Sequence, residues 1–324
     1  MFSILRMRST IINRIPIMSG SPSILILGAG ELGTAVLEAL SAHPKRTGGK
    51  LAVLLRQSTI ATQDSAKKAQ NERIQSLGAE LVPGDLANDS ISQLAEVFAR
   101  YHTIISCSGF GLPAGTQIKI TQAILEAGVQ RYIPWQWGID YDVVGTGSAQ
   151  DLFDEQLRVR ALLRGQSKTG WVIVSTGLFM SFLFLPEFGV VDLKARTLRA
   201  LGKWDAELSL TTSKDIGRMA AEIAYEPGDV SHQVVYIAGD TVTYEKVAGL
   251  VEKRFGGQWT KELWDEETLS GKLREKPGDG MIKYASVWAA GRGVAWDMEK
   301  TINAQRGIEL QGLESYLKDM PGFK

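Results

Sequence analysis

The sequence predicts an α/β protein: a Rossmann-type doubly wound parallel sheet with a smaller α+β substrate-binding domain. Two observations carry this. From Ser23 onward short apolar runs alternate with segments of helical period, the rhythm of βαβ units joined by right-handed crossovers. The first of those runs, residues 24–27, ends in Gly28-Ala29-Gly30-Glu31-Leu32-Gly33, and that loop opens a helix.

Taken in order, residues 24–27 are a strand and 32–42 a helix. Residues 51–55 are the second strand, followed by a polar helix at 67–77. Strands at 80–82, 103–106 and 131–133 alternate with helices at 90–100 and 117–127. A helix at 151–164 then leads into a strand at 171–175. Asn88-Asp89-Ser90 reads as a helix start, and Ser148-Ala149-Gln150-Asp151 as a capping box before an apolar helix. After Thr176 the rhythm loosens, with helices at 213–225 and 243–255 and a strand at 234–238. Residues 171–186 read as a buried strand and a greasy loop, because Ser175, Thr176, Gly177 and Ser181 interrupt a run too short to span a membrane. The expected division is a dinucleotide-binding domain at 21–176 and a mainly substrate-binding region at 177–324. Some elements of the latter return to the main sheet, without a flexible joint.

Composition narrows the function. Lys and Arg number 36 and Asp and Glu 36, so no basic surplus exists to neutralise a phosphate backbone, and nucleic acid is not an expected partner. Cys107 is the sole cysteine, which excludes an internal disulfide and fits a reducing, cytoplasmic setting. His43, His102 and His232 never stand at zinc-ligand spacing, so no metal site is expected. Residues 1–20 carry Arg6, Arg8 and Arg14 and no acid. They read as an extension, with Met18 a second candidate start; a mitochondrial presequence has the same composition.

The glycine loop has a specific physical reading. Gly28 permits the tight turn, Gly30 lets the backbone approach a pyrophosphate, and Gly33 lets helix and strand pack closely. The helix N-terminus, beginning at Glu31 and Leu32, faces the phosphate charge. A site selective for NAD carries a carboxylate at the end of the second strand. Here that strand ends in Arg56, followed by Gln57, Ser58 and Thr59. A guanidinium and hydroxyls suit a 2′-phosphate, which argues for NADP(H), and Lys67 is a candidate second cation.

With this loop, Arg56-Gln57-Ser58-Thr59 and Arg131-Tyr132-Ile133-Pro134 in view, the chain resembles the NmrA-like and isoflavone reductase-like family of the extended short-chain dehydrogenase superfamily. The likeness runs from about Ser23 to the C-terminus and is densest between Gly28 and Phe184. It implies that Gly84-Asp85-Leu86 lies near the adenine and that Ser106, Cys107, Ser108 and Gly109 pass the cofactor. It also implies that Pro134, Trp135, Gln136 and Trp137 stand in the family's segment after strand five. Asp215-Ile216-Gly217 resembles a late helix start of the family. The activities implied are NADPH-dependent reductions of phenolic secondary metabolites, and a regulatory subset senses dinucleotide and partners a transcription factor. Two departures stand out. Gln150 occupies the position where the family's reductases carry a lysine, and none of the eight tyrosines has a lysine four residues on.

Ligands of open α/β sheets bind beyond the carboxyl ends of the strands, so residues 134–149 are expected at the pocket. Phe110, Trp137, Phe179 and Phe182 are candidate substrate walls, with Met180 and Phe184 beside them. Hydride transfer to a carbonyl or quinone methide needs an acid near the developing oxyanion. Tyr141 is the expected donor, oriented by Asp140 or Asp142, and Gln150 is expected to orient the substrate. The leading expectation is an NADPH-dependent reductase of a small apolar molecule. The alternatives are a tailoring enzyme catalysing cyclisation and a non-enzymatic sensor that binds a regulatory protein. A homodimer stays open.

Overall fold

A computed structural model describes residues 21–321; the expected extension or presequence at residues 1–20 lies outside the described residues. Six strands come first: β1 (Ile24–Leu27), β2 (Leu51–Leu55), β3 (Ala79–Pro83), β4 (Thr103–Ser106), β5 (Arg131–Ile133) and β6 (Gly170–Ser175). Seven follow: β7 (Leu178–Phe179), β8 (Val191–Asp192), β9 (Thr197–Leu201), β10 (Glu207–Thr211), β11 (Gln233–Tyr236), β12 (Asp240–Thr243) and β13 (Thr260–Trp264). The helices before β6 are α1 (Glu31–Ala42), α2 (Gln57–Ile60), α3 (Ser65–Ser76), α4 (Ile91–Phe98), α5 (Thr116–Ala127), α6 (Tyr141–Val144) and α7 (Asp151–Arg164). After it come α8 (Ser213–Tyr225), α9 (Tyr244–Phe255), α10 (Glu266–Glu275), α11 (Gly280–Ala289), α12 (Ile302–Gln305) and α13 (Leu313–Asp319).

The main sheet has seven strands in the order β11-β6-β5-β4-β1-β2-β3, and every pair in it is parallel. Strands covered on both faces read as unbroken apolar runs, and β1 (Ile-Leu-Ile-Leu) is wholly buried. Alternation then divides the runs. Ile24 and Ile26 meet Val36, Leu40 and Ile223 on the face covered by α1 and α8, while Leu25 and Leu27 meet Leu94, Phe98 and Ile124 on the other. The strand order reverses between β1 and β4, which opens a crevice at their carboxyl ends. β11 and α8, from the C-terminal half, complete this sheet and its cover. A separate apolar core gathers α9, α11, β9 and β10. No helix among the described residues is long and apolar enough to cross a membrane.

Local chemistry sets the helix ends. Ser90 and Gln93 close a reciprocal capping box at α4, as Asn88-Asp89-Ser90 led one to expect. The capping box expected at Ser148 does not form. Gln150 is the N-cap of α7 and its side chain does not cap, while the Ser148 hydroxyl bonds the Gln150 carbonyl at 3.3 Å. The expected greasy loop after β6 also differs: it holds β7 and a tight helical turn at Met180–Phe184. β7 forms because it pairs in parallel with β10, a partner some thirty residues on that no local pattern reveals.

Candidate cofactor and substrate site

The turn after β1 depends on its glycines. Gly28 has φ +95°, and a Cβ there would overlap the Ser108 hydroxyl; a Cβ on Gly33 would run into the Gly28 carbonyl. Nothing stands near Gly30, so that side of the turn is open. Gly30 is the N-cap of α1 and no side chain caps the helix, which leaves its first amides for a ligand. The start of α5 is closed by contrast. The buried Glu155 carboxylate accepts from the amides of Gly115 (2.9 Å), Gln117 (2.8 Å) and Ile118 (3.3 Å). Beneath the turn, Leu32 and Cys107 are core residues, and burial pushes the Cys107 thiol far above its ordinary pKa. Gln70 donates to the Ala29 carbonyl and holds the turn from the α3 side.

A cleft of about 370 Å³ runs from this turn past the end of β2, lined by Gly28, Arg56, Thr59, Asp85, Leu86, Ser108 and Phe110 among others. Arg56 is exposed and has no ion-pair partner among the described residues. Asp85 accepts from Asn88 Nδ2 (2.9 Å) and from the amides of Ala87 (2.9 Å) and Asn88 (3.2 Å). The Asn88 bond first, then those amides and the charge of Arg56, hold its carboxyl below the usual range. Lys119 reaches over to the carbonyls of Ala87 (2.8 Å) and Asp89 (2.9 Å) and pins the same turn. Gln57 and Ser58 are exposed beside Arg56, whereas Lys67 stands in the first turn of α3 and does not line the cleft. The sequence offers Asn88 only as part of a helix start and Lys119 in no motif; the folded turn shows their part in holding Asp85 and its loop.

Aromatic rings continue from the cleft. Phe110, 61% exposed, meets Trp135 edge-on at 6.1 Å and Phe182 at 6.1 Å, and Phe179 meets Phe182 at 6.0 Å. Gly109 lies flat against the Trp135 indole, where any side chain would overlap the ring. Behind this row Tyr284 of α11 touches Phe182 (6.4 Å) and Phe153 (5.9 Å), and Phe153 touches Tyr141 (4.9 Å). Phe110, Phe179 and Phe182 are thus brought together as expected of a wall. Trp137 is not part of it, a correction to the sequence expectation. Its ring is buried in the core and its Nε1 donates to the Ser106 carbonyl at 2.8 Å, because strand five continues alongside β6 and tucks the indole under β4. Gln136 is likewise turned inward, accepting from Arg160 Nε (2.7 Å) and donating to the Gln156 carbonyl (2.9 Å).

The expectation that Asp140 or Asp142 orients Tyr141 is also corrected. Arg160 and Arg164, one turn apart on α7, draw both carboxylates away from the phenol. Arg160 Nη1 reaches Asp140 (3.0 Å) and Asp142 (2.6 Å), Arg164 grips Asp142 with two nitrogens, and Tyr236 donates to Asp140 at 2.6 Å. A fully buried guanidinium needs such counter-charge more than a phenol does. The Tyr141 hydroxyl has no hydrogen-bond partner among the described residues, and burial pushes its pKa well up. Gln150 donates to the Gly280 carbonyl at 3.0 Å, and Lys283 pairs with the neighbouring Asp151, so the start of α11 is tied to the start of α7.

The sequence model of the NmrA-like family matches residues 21–316. The chain belongs to that family. An NmrA-like family domain-containing oxidoreductase of Gibberella moniliformis is 54% identical over 301 residues, 93% of this chain and 98% of the relative. A solved isoflavone reductase matches with a TM-score of 0.75 at 22% identity, over 92% of this chain and 98% of its own. A leucoanthocyanidin reductase–NADPH complex from Vitis vinifera also gives 0.75, at 16% identity and 92% and 98% coverage. Both solved reductases share the fold described above.

Proposed function

We propose that this NmrA-like chain is an NADPH-dependent reductase of a small apolar or aromatic molecule, a secondary metabolite handled in the cytosol. One observation carries the reading. A phosphate-ready glycine turn and an unpaired Arg56 line a single cleft, and a row of aromatic rings leads out of it. The naming of the Gibberella relative as an oxidoreductase and the NADPH held by the Vitis reductase support it. The residues fit the dinucleotide: open amides at the start of α1 for the pyrophosphate, Arg56 with Ser58 and Thr59 for the 2′-phosphate, and the Asp85 turn for the adenosine. The bound nicotinamide would supply the hydride. Phe110, Trp135, Phe179 and Phe182 exclude water and stack against the substrate. Gln150, one amide hydrogen still unpaired, orients the substrate oxygen, and Tyr141 offers its unpartnered phenol as donor.

A dinucleotide-sensing role has one observation in its favour, glutamine at position 150, and the aromatic row against it. The two separate on turnover. Purified protein offered NADPH and a panel of apolar phenolic carbonyls, imines and enones should oxidise NADPH with at least one of them. No turnover across the panel, with a protein partner captured only when dinucleotide is present, would reverse the ranking.

A further inference from the structure

We propose that a groove at the opposite end of the main sheet binds a small organic anion, a carboxylate or phosphate joined to an apolar group. The groove holds about 500 Å³ and lies where the strands begin, bordered by Pro22 before β1, His102 before β4, Arg131 at the start of β5 and His232 before β11. The cofactor cleft lies beyond the other ends of the same strands, so the two do not merge. The ionisable side chains lining the groove are His102, Arg131, Lys168, Tyr225 and His232; no carboxylate is among them.

Arg131 is the centre of the argument. Its guanidinium is largely withdrawn from water, yet it pairs with no carboxylate among the described residues. Nη2 donates to the Val230 carbonyl at 2.7 Å, and Nε is buried with no partner at all. Arg306 approaches the same loop and donates to the Pro227 carbonyl at 3.2 Å, adding like charge. Burial first, and Arg306 second, pull the Arg131 pKa down to about 10. Arg306 has the Glu226 carboxylate near it, but Arg131, with a carbonyl as its one partner, is left uncompensated, and a buried cation is stable where a counter-charge is supplied. Asp229, in that loop, borders a separate groove beside β11 with Arg306 and forms no ion pair among the described residues. His102 faces the groove with its pKa lowered by burial and by Arg131, and its ring is held by the Thr103 hydroxyl at 2.8 Å. Lys168 is exposed at the rim, placed to meet an anion as it enters. Pro227, Val230, Ala224 and the Tyr225 ring make one side of the wall apolar, beside the polar Gln130, Ser167 and Ser231, which is why the occupant carries an apolar part as well as charge.

The test is calorimetric titration of the full chain with phenyl phosphate, NADP⁺ in excess to occupy the cofactor cleft. Saturable binding near one per chain is expected. Lys168→Glu, at an exposed position that leaves the fold intact, should weaken it about tenfold or more, the loss of one charge-assisted contact. Arg131→Gln, which keeps a donor for Val230, should do the same or abolish it. Equal affinity in both variants and the parent, or no saturable heat, overturns the proposal. Inorganic phosphate binding as tightly as phenyl phosphate means an adventitious ion only, and binding that appears only after removal of residues 1–20 makes the groove the seat of the chain's own start; either result also overturns it.

Discussion

Replacing Arg56 by glutamate should move cofactor preference from NADPH to NADH. Arg56 stands exposed at the carboxyl end of β2, without an ion-pair partner among the described residues, and lines the cleft with Asp85 and the glycine turn. Two unit charges about 4 Å apart attract by about 4 kcal/mol near a protein surface and about 1 kcal/mol in bulk water. An exposed guanidinium on a 2′-phosphate falls between these, so its loss should cost about 2 kcal/mol, or roughly 30-fold in NADPH affinity. The glutamate adds repulsion to the phosphate and offers the ribose hydroxyls of NADH an acceptor. Fluorescence titrations of the parent, Arg56→Met and Arg56→Glu with both cofactors, at low and high salt, measure this. NADPH affinity in the parent should fall with salt, because the contact is solvent-screened. Equal affinity of the parent for NADPH and NADH, unchanged in both variants, would refute the reasoning.

Further outcomes are expected. Gly33→Ala should abolish NADPH binding while the circular dichroism spectrum holds, since a Cβ would strike the Gly28 carbonyl; normal binding would sink that account of the turn. Tyr141→Phe should lower single-turnover rates by about 10²-fold, the low end for a proton donor because burial raises the phenol's pKa. Gln150→Ala should mainly raise KM, and a collapse of chemistry in Gln150→Ala beside a normal Tyr141→Phe would reverse the two roles. Arg160→Met strands the buried Asp140 carboxylate and should cost about 3–5 kcal/mol in urea unfolding; a loss below about 1 kcal/mol would contradict the buried network. Arg164 first, and Arg160 with it, hold Asp142 below its ordinary pKa, so its pairing stabilises the fold above the normal carboxylate range and is lost as acid titrates it. The parent should therefore show an acid-linked loss of Tm that Asp142→Asn lacks; identical acid profiles would remove that group from the account.

The cofactor half of the site was legible because its signals are local. An apolar run, a glycine turn and a helical period lie within twenty residues of one another, and Arg56 is read from its place at a strand end. The substrate half was legible only in part. Phe110, Phe179 and Phe182 could be named as aromatics on loops at one sheet edge, but Tyr284 joins them from a helix far down the chain whose apolar pattern says nothing about its partner. Trp137 and the aspartates beside Tyr141 misled for the same reason: a sequence shows which residues neighbour a ring along the chain, and not which cation or carbonyl a polar atom meets in space.

The sequence by itself therefore determined the parallel sheet, the glycine turn after β1 and the cation at the end of β2, because backbone periodicity and glycine's freedom act over a few bonds. Only the tertiary structure decided the ownership of the charges. Asp140 and Asp142 belong to Arg160 and Arg164 because a guanidinium buried by packing must be neutralised where it lies. β7 exists because β10 arrives beside it, and Arg131 is left without a carboxylate because none of those carried to its end of the sheet lines its groove.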